Sequence, residues 1–209
     1  MAVKALIPFD EIASSHPLFS HLDTAPNWDQ IFSTNYPMKL EIGFGNGSFI
    51  IEMAMREPRT NFIGLDMYHK GIRKTITRAE KRLIENIHIV YGDARLRTQS
   101  VFKNETLEAI YINFPDPWPK KRHIKRRLIT PNFIEILSSK LIPSGELRIA
   151  TDCETYSRDM LTYLENSSLE NKAGSFKFAE SRENIPQSKY EKNYLEQGKK
   201  IYYLDYIKR

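Results

Sequence analysis

Short apolar runs alternate with longer amphipathic ones from about Met38 to Tyr163. Met38 to Ile42, Phe62 to Leu65, Ile87 to Tyr91, Ala109 to Asn113 and Glu146 to Ala150 have the length and bounding turns of strands. The stretch His69 to Glu85 instead places apolar residues at Ile72, Ile76, Ala79 and Leu83, a 4-3-4 spacing that predicts a helix with one buried stripe. Arg73, Lys74, Arg78, Lys81 and Arg82 then fall on its outer face, where solvation accounts for them more simply than a second RNA contact. A later helix is expected from about Asn132, carrying Phe133, Ile136, Leu137 and Leu141 and stopping at Pro143-Ser144-Gly145. Beyond Tyr163, the polar run Glu165 to Gly174 reads as a connector, and Lys177 to Ala179 and Ile201 to Ile207 as strands finishing the sheet as a hairpin-like pair. Alternation of this kind predicts an α/β fold built on a mostly parallel sheet.

A chain of 209 residues with 41% hydrophobic content can bury a full core, so residues 1–209 are expected to form one domain. The single cysteine, Cys153, excludes a disulfide framework and any zinc site built from several thiolates. The five histidines show no metal-ligand spacing, and no metal is expected. The apolar run in Met1 to Pro8 is too short for a signal peptide, and no segment approaches the length needed to cross a bilayer. The expected location is the cytoplasm, with no membrane partner.

Glu41-Ile42-Gly43-Phe44-Gly45-Asn46-Gly47 joins a predicted strand to a predicted helix, Phe49 to Met55. Strand, glycine turn and helix let a cofactor approach the backbone closely. A second acid, Asp66, closes the next strand, where it can accept hydrogen bonds from ribose hydroxyls, and a third, Asp93, ends the one after. Ser48 stands where a dinucleotide fingerprint would have its last glycine. A cofactor without phosphates, such as S-adenosylmethionine, needs room at the turn and a carboxylate for its ammonium group; Gly43, Gly45 and Glu41 supply both. Here the chain resembles the class I S-adenosylmethionine-dependent methyltransferases over roughly residues 38 to 151. That resemblance implies a Rossmann-like, mostly parallel seven-stranded sheet with helices on both faces. It also implies an N-terminal extension (1–37), a cofactor-binding half (38–151) and a substrate-side half (152–209).

Charge supplies the second clue. The 31 Lys and Arg outnumber the 26 Asp and Glu, but six of the cations lie between Lys120 and Arg127, leaving 25 against 26 elsewhere. A patch this concentrated suits a phosphate backbone. Directly before it runs Asn113-Phe114-Pro115-Asp116-Pro117-Trp118-Pro119, whose prolines fix their own φ and push Phe114, Asp116 and Trp118 out of the helical region. A stiff loop thus presents one carboxylate and one indole beside the cations.

Joined to the cofactor half, this loop makes the chain similar to the tRNA (guanine-N7-)-methyltransferases. Further matching segments are Pro26-Asn27-Trp28-Asp29, Arg126-Arg127-Leu128, Thr151-Asp152 and Ser188-Lys189-Tyr190-Glu191, so the resemblance runs from about residue 26 to the C-terminus. It implies transfer of a methyl group from S-adenosyl-L-methionine to N7 of a guanosine in the tRNA variable loop, guanosine 46 in tRNA numbering. It further implies that Glu41, Asp66, Asp93 and Asp116 line the cofactor pocket and that Asp116 is also catalytic. Lys120, Asp152, Ser188, Lys189, Tyr190 and Glu191 would contact tRNA, while Arg122, His123, Lys125, Arg126 and Arg127 would engage its backbone. The family often has Glu where Asp66 stands and Thr where Ser188 stands. A monomer or homodimer is expected, with no obligatory partner protein evident.

Two other readings stay open on the residues alone. A nicotinamide-dependent oxidoreductase would use the glycine turn and Asp66 but leaves the basic loop unexplained. A non-catalytic RNA-binding protein would use the basic loop but has no need of the four acids.

Overall fold

The computed structural model of the protein describes residues 6–182 and 184–209. In chain order the elements are α1 (Phe9–Ser15), β1 (Phe19–Ser20), α2 (Trp28–Phe32), β2 (Met38–Ile42), α3 (Ser48–Arg56), β3 (Asn61–Asp66), α4 (His69–Lys81), β4 (Ile87–Tyr91) and α5 (Ala94–Val101). The chain continues through β5 (Leu107–Asn113), a 3-10 helix (Lys121–Arg126), α6 (Pro131–Lys140), β6 (Leu141–Thr151), α7 (Glu154–Glu165), β7 (Leu169–Asn171), α8 (Lys189–Glu196) and β8 (Tyr202–Lys208).

The strands form one sheet in the order β1-β4-β3-β2-β5-β6-β8-β7. All pairs from β1 to β6 are parallel, and β8 pairs antiparallel with both β6 and β7. Period-two alternation divides the core between the two faces. In β5, Ile110 and Ile112 join the side covered by α5, α6 and α7, while Ala109 and Tyr111 join the side covered by α3 and α4. In β3, Ile63 and Leu65 take the first side and Phe62 the second. Each Ile, Leu or Phe side chain so withdrawn from water contributes roughly 1.5 to 3 kcal/mol.

Among the described residues the sheet has eight strands rather than seven, and its edges account for the difference. At one edge, Phe19 is buried and adds the two-residue β1 beside β4. At the other, β7 lies inside the polar run expected to be a connector; only Leu169 is buried there, so the run carries almost no apolar signal. Asn171 secures this strand by donating through Nδ2 to Glu165 Oε1 at 2.8 Å and Tyr206 Oη at 3.0 Å. Lys177 to Ala179 is therefore not the hairpin partner: it contributes a single bridge, Ala179 to Tyr203.

Helix α4 buries Ile72, Ile76 and Ala79 as the spacing predicts but ends at Lys81. Leu83 takes φ 53° and stays exposed, so the fourth apolar position is lost to the helix exit. Helix α6 begins with Thr130 accepting from Phe133 N and with Pro131 in its first turn. It passes straight into β6, which places Pro143-Ser144-Gly145 within the strand rather than at the helix stop. Among the described residues no helix is long and apolar enough to cross a membrane.

Candidate active site

Strand order reverses between β2 and β5: from β2 the chain runs outward through β3 and β4 on one side, and from β5 through β6 on the other. A crevice at the carboxyl ends of strands is expected at such a switch point. The cleft found there has a volume of about 710 Å³ and is lined by the ends of β2, β3 and β5, the turn after β4, and the loop Phe114 to Trp118.

The turn after β2 forms the floor. Gly45 takes φ 54° and would meet nothing within 4 Å if it carried a Cβ, so the backbone is open to a ligand. Gly47 takes φ 72°, and a Cβ there would fall 1.9 Å from Thr75 Oγ1, so this residue is required for α3 to approach α4. Asp66 ties the turn to the next unit: Oδ2 accepts from Gly45 N at 2.8 Å and Oδ1 from Tyr68 N at 2.9 Å. Burial holds the Asp66 carboxyl above its ordinary range, against the N–H groups of Tyr68, Gly45 and Met67. Asp93 caps α5, accepting from Arg95 N and Leu96 N.

Glu41 is buried at the end of β2. Its Oε1 accepts from Asn113 Nδ2 at 3.1 Å, and Oε2 is buried with no hydrogen-bond partner among the described residues. Burial pushes its carboxyl up to about 8, opposed by the Asn113 hydrogen bond and assisted by the nearby Asp66 charge. A bare acceptor under strain to protonate is the complement of a cationic donor such as an ammonium group. The residues at the cleft thus fit S-adenosylmethionine: an unpartnered carboxylate oxygen, an open glycine floor and a strand-end acid in Asp66.

The loop after β5 is held from both ends. Phe114 N donates to Ala150 O at 2.8 Å, and Arg127 Nε donates to Pro117 O at 2.7 Å. Phe114 and Trp118, each preceding a proline, take φ 54° and 40°. Proline disfavours the right-handed helical region for them, and they occupy the left-handed one at a cost of about 1 kcal/mol or more each. The Trp118 indole is flanked by the Arg126 guanidinium, 5.0 Å from the ring centroid, and by the His123 ring, set T-shaped to it with centroids 5.8 Å apart. Asp116, between them, is exposed at the cleft.

A family model described as "Putative methyltransferase" matches residues 35–204. A tRNA (guanine-N(7)-)-methyltransferase of Geobacter metallireducens is 35% identical over 201 residues, 94% of this chain and 95% of that one. The chain belongs to the tRNA (guanine-N(7)-)-methyltransferase family. Another member, from Alkalilimnicola ehrlichii, is 36% identical over 87% of this chain and 76% of its own. A third, from Buchnera aphidicola subsp. Baizongia pistaciae, is 41% identical over 67% of this chain, and the match spans 58% of that protein's length. Among solved structures, a 30S ribosomal methyltransferase from an uncultured bacterium superposes with a TM-score of 0.61 at 15% identity, covering 89% of this chain and 98% of that one. An S-adenosylmethionine-dependent methyltransferase from Aquifex aeolicus gives 0.57 at 12% identity, covering 82% and 81%. At these identities the likeness is one of fold, that of the class I methyltransferases.

Of the residues expected from the family resemblance, Glu41, Gly43, Gly45, Asp66, Asp93 and Asp116 meet at the cleft. Arg126, Asp152, Ser188 and Tyr190 line it from the substrate side. Lys120, Arg122 and Lys125 are exposed on and beside the 3-10 helix, outside the cleft, and Lys189 is exposed on α8. Three of the expected tRNA-contacting side chains have partners within the fold: those of Arg127, Ser188 and Glu191. Arg127 is turned inward onto Pro117 O, Asp159 and the Tyr156 ring, because a loop with three prolines has few N–H groups of its own to anchor it. Glu191 is buried in a capping box with Ser188, so both side chains serve the start of α8. Asn113, Arg95 and Tyr194 also line the cleft without having been singled out; a polar residue closing an otherwise apolar strand was the available sign for Asn113.

The Glu41 environment has a consequence for stability. Its folded pKa lies above the ordinary 4.5, so the folded chain binds the proton more tightly than the unfolded one. The associated stability is present at low pH and is lost as pH rises from 4.5 through about 8. Without cofactor, Glu41→Gln is expected to be more stable than the parent by at least about 2 kcal/mol at pH 8, with the gap closing toward pH 4.5. Urea unfolding at both pH values measures this; a gap independent of pH would contradict the burial of an ionisable group at this position.

Proposed function

We propose that the chain transfers the methyl group of S-adenosylmethionine to N7 of a guanosine in the tRNA variable loop, guanosine 46 in tRNA numbering, and acts in the cytoplasm. The observation that carries this reading is the meeting, at one cleft, of the strand-end acids with a clamped carboxylate loop and its cationic helix. Relatives matched over most of the chain bear the corresponding name.

S-adenosylmethionine supplies a methyl group on a cationic sulfur. Glu41 would hold the ammonium group through Oε2, and Asp66, whose oxygens each accept one backbone N–H, keeps lone pairs for ribose hydroxyls. Guanine N7 carries an in-plane lone pair and no proton, so no general base is required. The residues need to align nitrogen with methyl, a contribution of roughly 7 to 11 kcal/mol at best. Positive charge moves onto the guanine ring during transfer, and the Asp116 carboxylate would stabilise it or accept hydrogen bonds from the base edge.

The major groove of A-form RNA is too deep and narrow for side chains, so the target base must lie in an irregular region or be drawn out. A variable loop meets that requirement. Tyr190, exposed at the cleft, offers a face on which the base can stack.

Lys120, Lys121, Arg122, Lys125 and Arg126 form an exposed cationic rim next to this opening. With about four to five phosphate contacts, log K for tRNA should fall against log[salt] with a slope of roughly −3 to −5. A nearly flat dependence would remove the rim from the binding surface. The function itself is tested by incubation with methyl-labelled S-adenosylmethionine and unmodified tRNA, with label expected in the tRNA fraction; label absent from it overturns the proposal.

A further inference from the structure

The amide of Asn113 stands between two groups of fixed character. Its Oδ1 accepts from Arg182 Nη1 at 2.8 Å, and its Nδ2 donates to Glu41 Oε1 at 3.1 Å. A guanidinium has only donors, so Arg182 decides which end of the amide faces which neighbour. Turned round, the amide would set its oxygen against the Glu41 carboxylate. Arg182 does not itself line the cleft, and its Nε and Nη2 are buried without partners among the described residues. The guanidinium lies 5.2 Å over the Tyr203 ring, with Asp205 and Glu191 as the nearby acids and Arg148 as a nearby cation. A buried guanidinium whose one hydrogen bond among the described residues goes to a neutral amide is a poor contribution to stability. Its placement makes sense for the site instead.

Given the ammonium site proposed at Glu41, we infer that Arg182 is a positioning residue for the cofactor. It orients the Asn113 amide, and through that amide favours the carboxylate form of Glu41 and leaves Oε2 for the ammonium group. The groups acting on Glu41 are consistent with this assignment. Burial and Asp66 on β3 favour its protonated form; the Asn113 amide on β5, the Ile50 N–H on α3 and the Arg182 charge favour the carboxylate. Removing Arg182 takes away one of these and frees the amide to turn.

The test is calorimetric titration of S-adenosylmethionine into the parent chain, Arg182→Met, Asn113→Leu and the double variant, at acidic and alkaline pH. Near pH 6.5, Arg182→Met should weaken binding about tenfold, the equivalent of one lost hydrogen bond to a charged group. Near pH 9 the difference should shrink to about threefold or less, because Glu41 then ionises without assistance. In the Asn113→Leu background, adding Arg182→Met should change the Kd by about threefold or less, the part left to its direct charge effect on Glu41, since the rest of its effect passes through Asn113. Losses that multiply, a loss that does not vary with pH, or parental binding by Arg182→Met would each overturn the assignment. If thermal melting shows that Arg182→Met does not fold, Arg182→Lys takes its place, with an expected loss of about threefold that Asn113→Leu absorbs; a multiplicative loss there overturns the assignment equally. Failure of the underlying cofactor site has a different signature: Glu41→Gln would bind S-adenosylmethionine as tightly as the parent, or the parent would not bind it.

Discussion

Asp116→Asn is expected to lower kcat at saturating tRNA and cofactor by about 100-fold or more, the range seen when one preorganised electrostatic contact to a transition state is removed. The melting temperature should be unchanged. Asp116 is exposed, and no protein hydrogen bond holds its side chain among the described residues. Nothing in the fold therefore depends on its charge. Its loop is nevertheless fixed, by Phe114 N on Ala150 O at one end and by Arg127 Nε on Pro117 O at the other. A carboxylate that contributes little to stability but is held in place at the mouth of the cleft is placed for the substrate. Asparagine has nearly the same shape and keeps one acceptor oxygen, so the comparison isolates the charge. Wild-type kcat in this variant would exclude both electrostatic support and orientation of the guanine.

Arg127→Met is expected to destabilise the chain by about 2 kcal/mol, a fall of roughly 5 °C in Tm for a domain of this size. Arg127 lies in the basic run, but its side chain is only 6% exposed and pairs with Asp159 at 2.5 Å. Its guanidinium also sits 4.6 Å over the Tyr156 ring, while Nε holds the Pro117 carbonyl. Removal loses all three contacts at once. Asp159 remains 46% exposed, so its charge is not stranded, which keeps the estimate at the lower end for a broken buried pair. Arg126→Met, one position earlier and exposed, should leave Tm within about 1 °C and instead weaken tRNA binding and lower the salt slope. If Arg127→Met left Tm unchanged and reduced the salt slope by about one, Arg127 would return to the phosphate contacts.

The contrast between Arg126 and Arg127 shows where sequence reading reaches its limit. Adjacent cations of one type cannot be assigned to solvent or to an internal anchor without knowing that Pro117 O needs a donor. The strands of the parallel core were legible because burial on both faces makes them continuously apolar, as in Phe62 to Leu65 and Ala109 to Ile112. Edge strands were not. β1 has two residues and β7 one buried side chain, and both depend on the neighbour that each pairs with. The acids of the cleft stood out because a charge ending an apolar strand breaks the pattern. Asn113 and Arg182 did not, because their importance lies in a contact spanning 69 positions of chain.

The central claim is best tested by mapping the transferred methyl group along the tRNA strand. After incubation with S-adenosylmethionine, the predicted result is a single chemically labile 7-methylguanosine in the variable loop, absent with Asp116→Asn at matched times. Methylation at another atom of the base, or at a guanosine within a regular helix, would contradict the account.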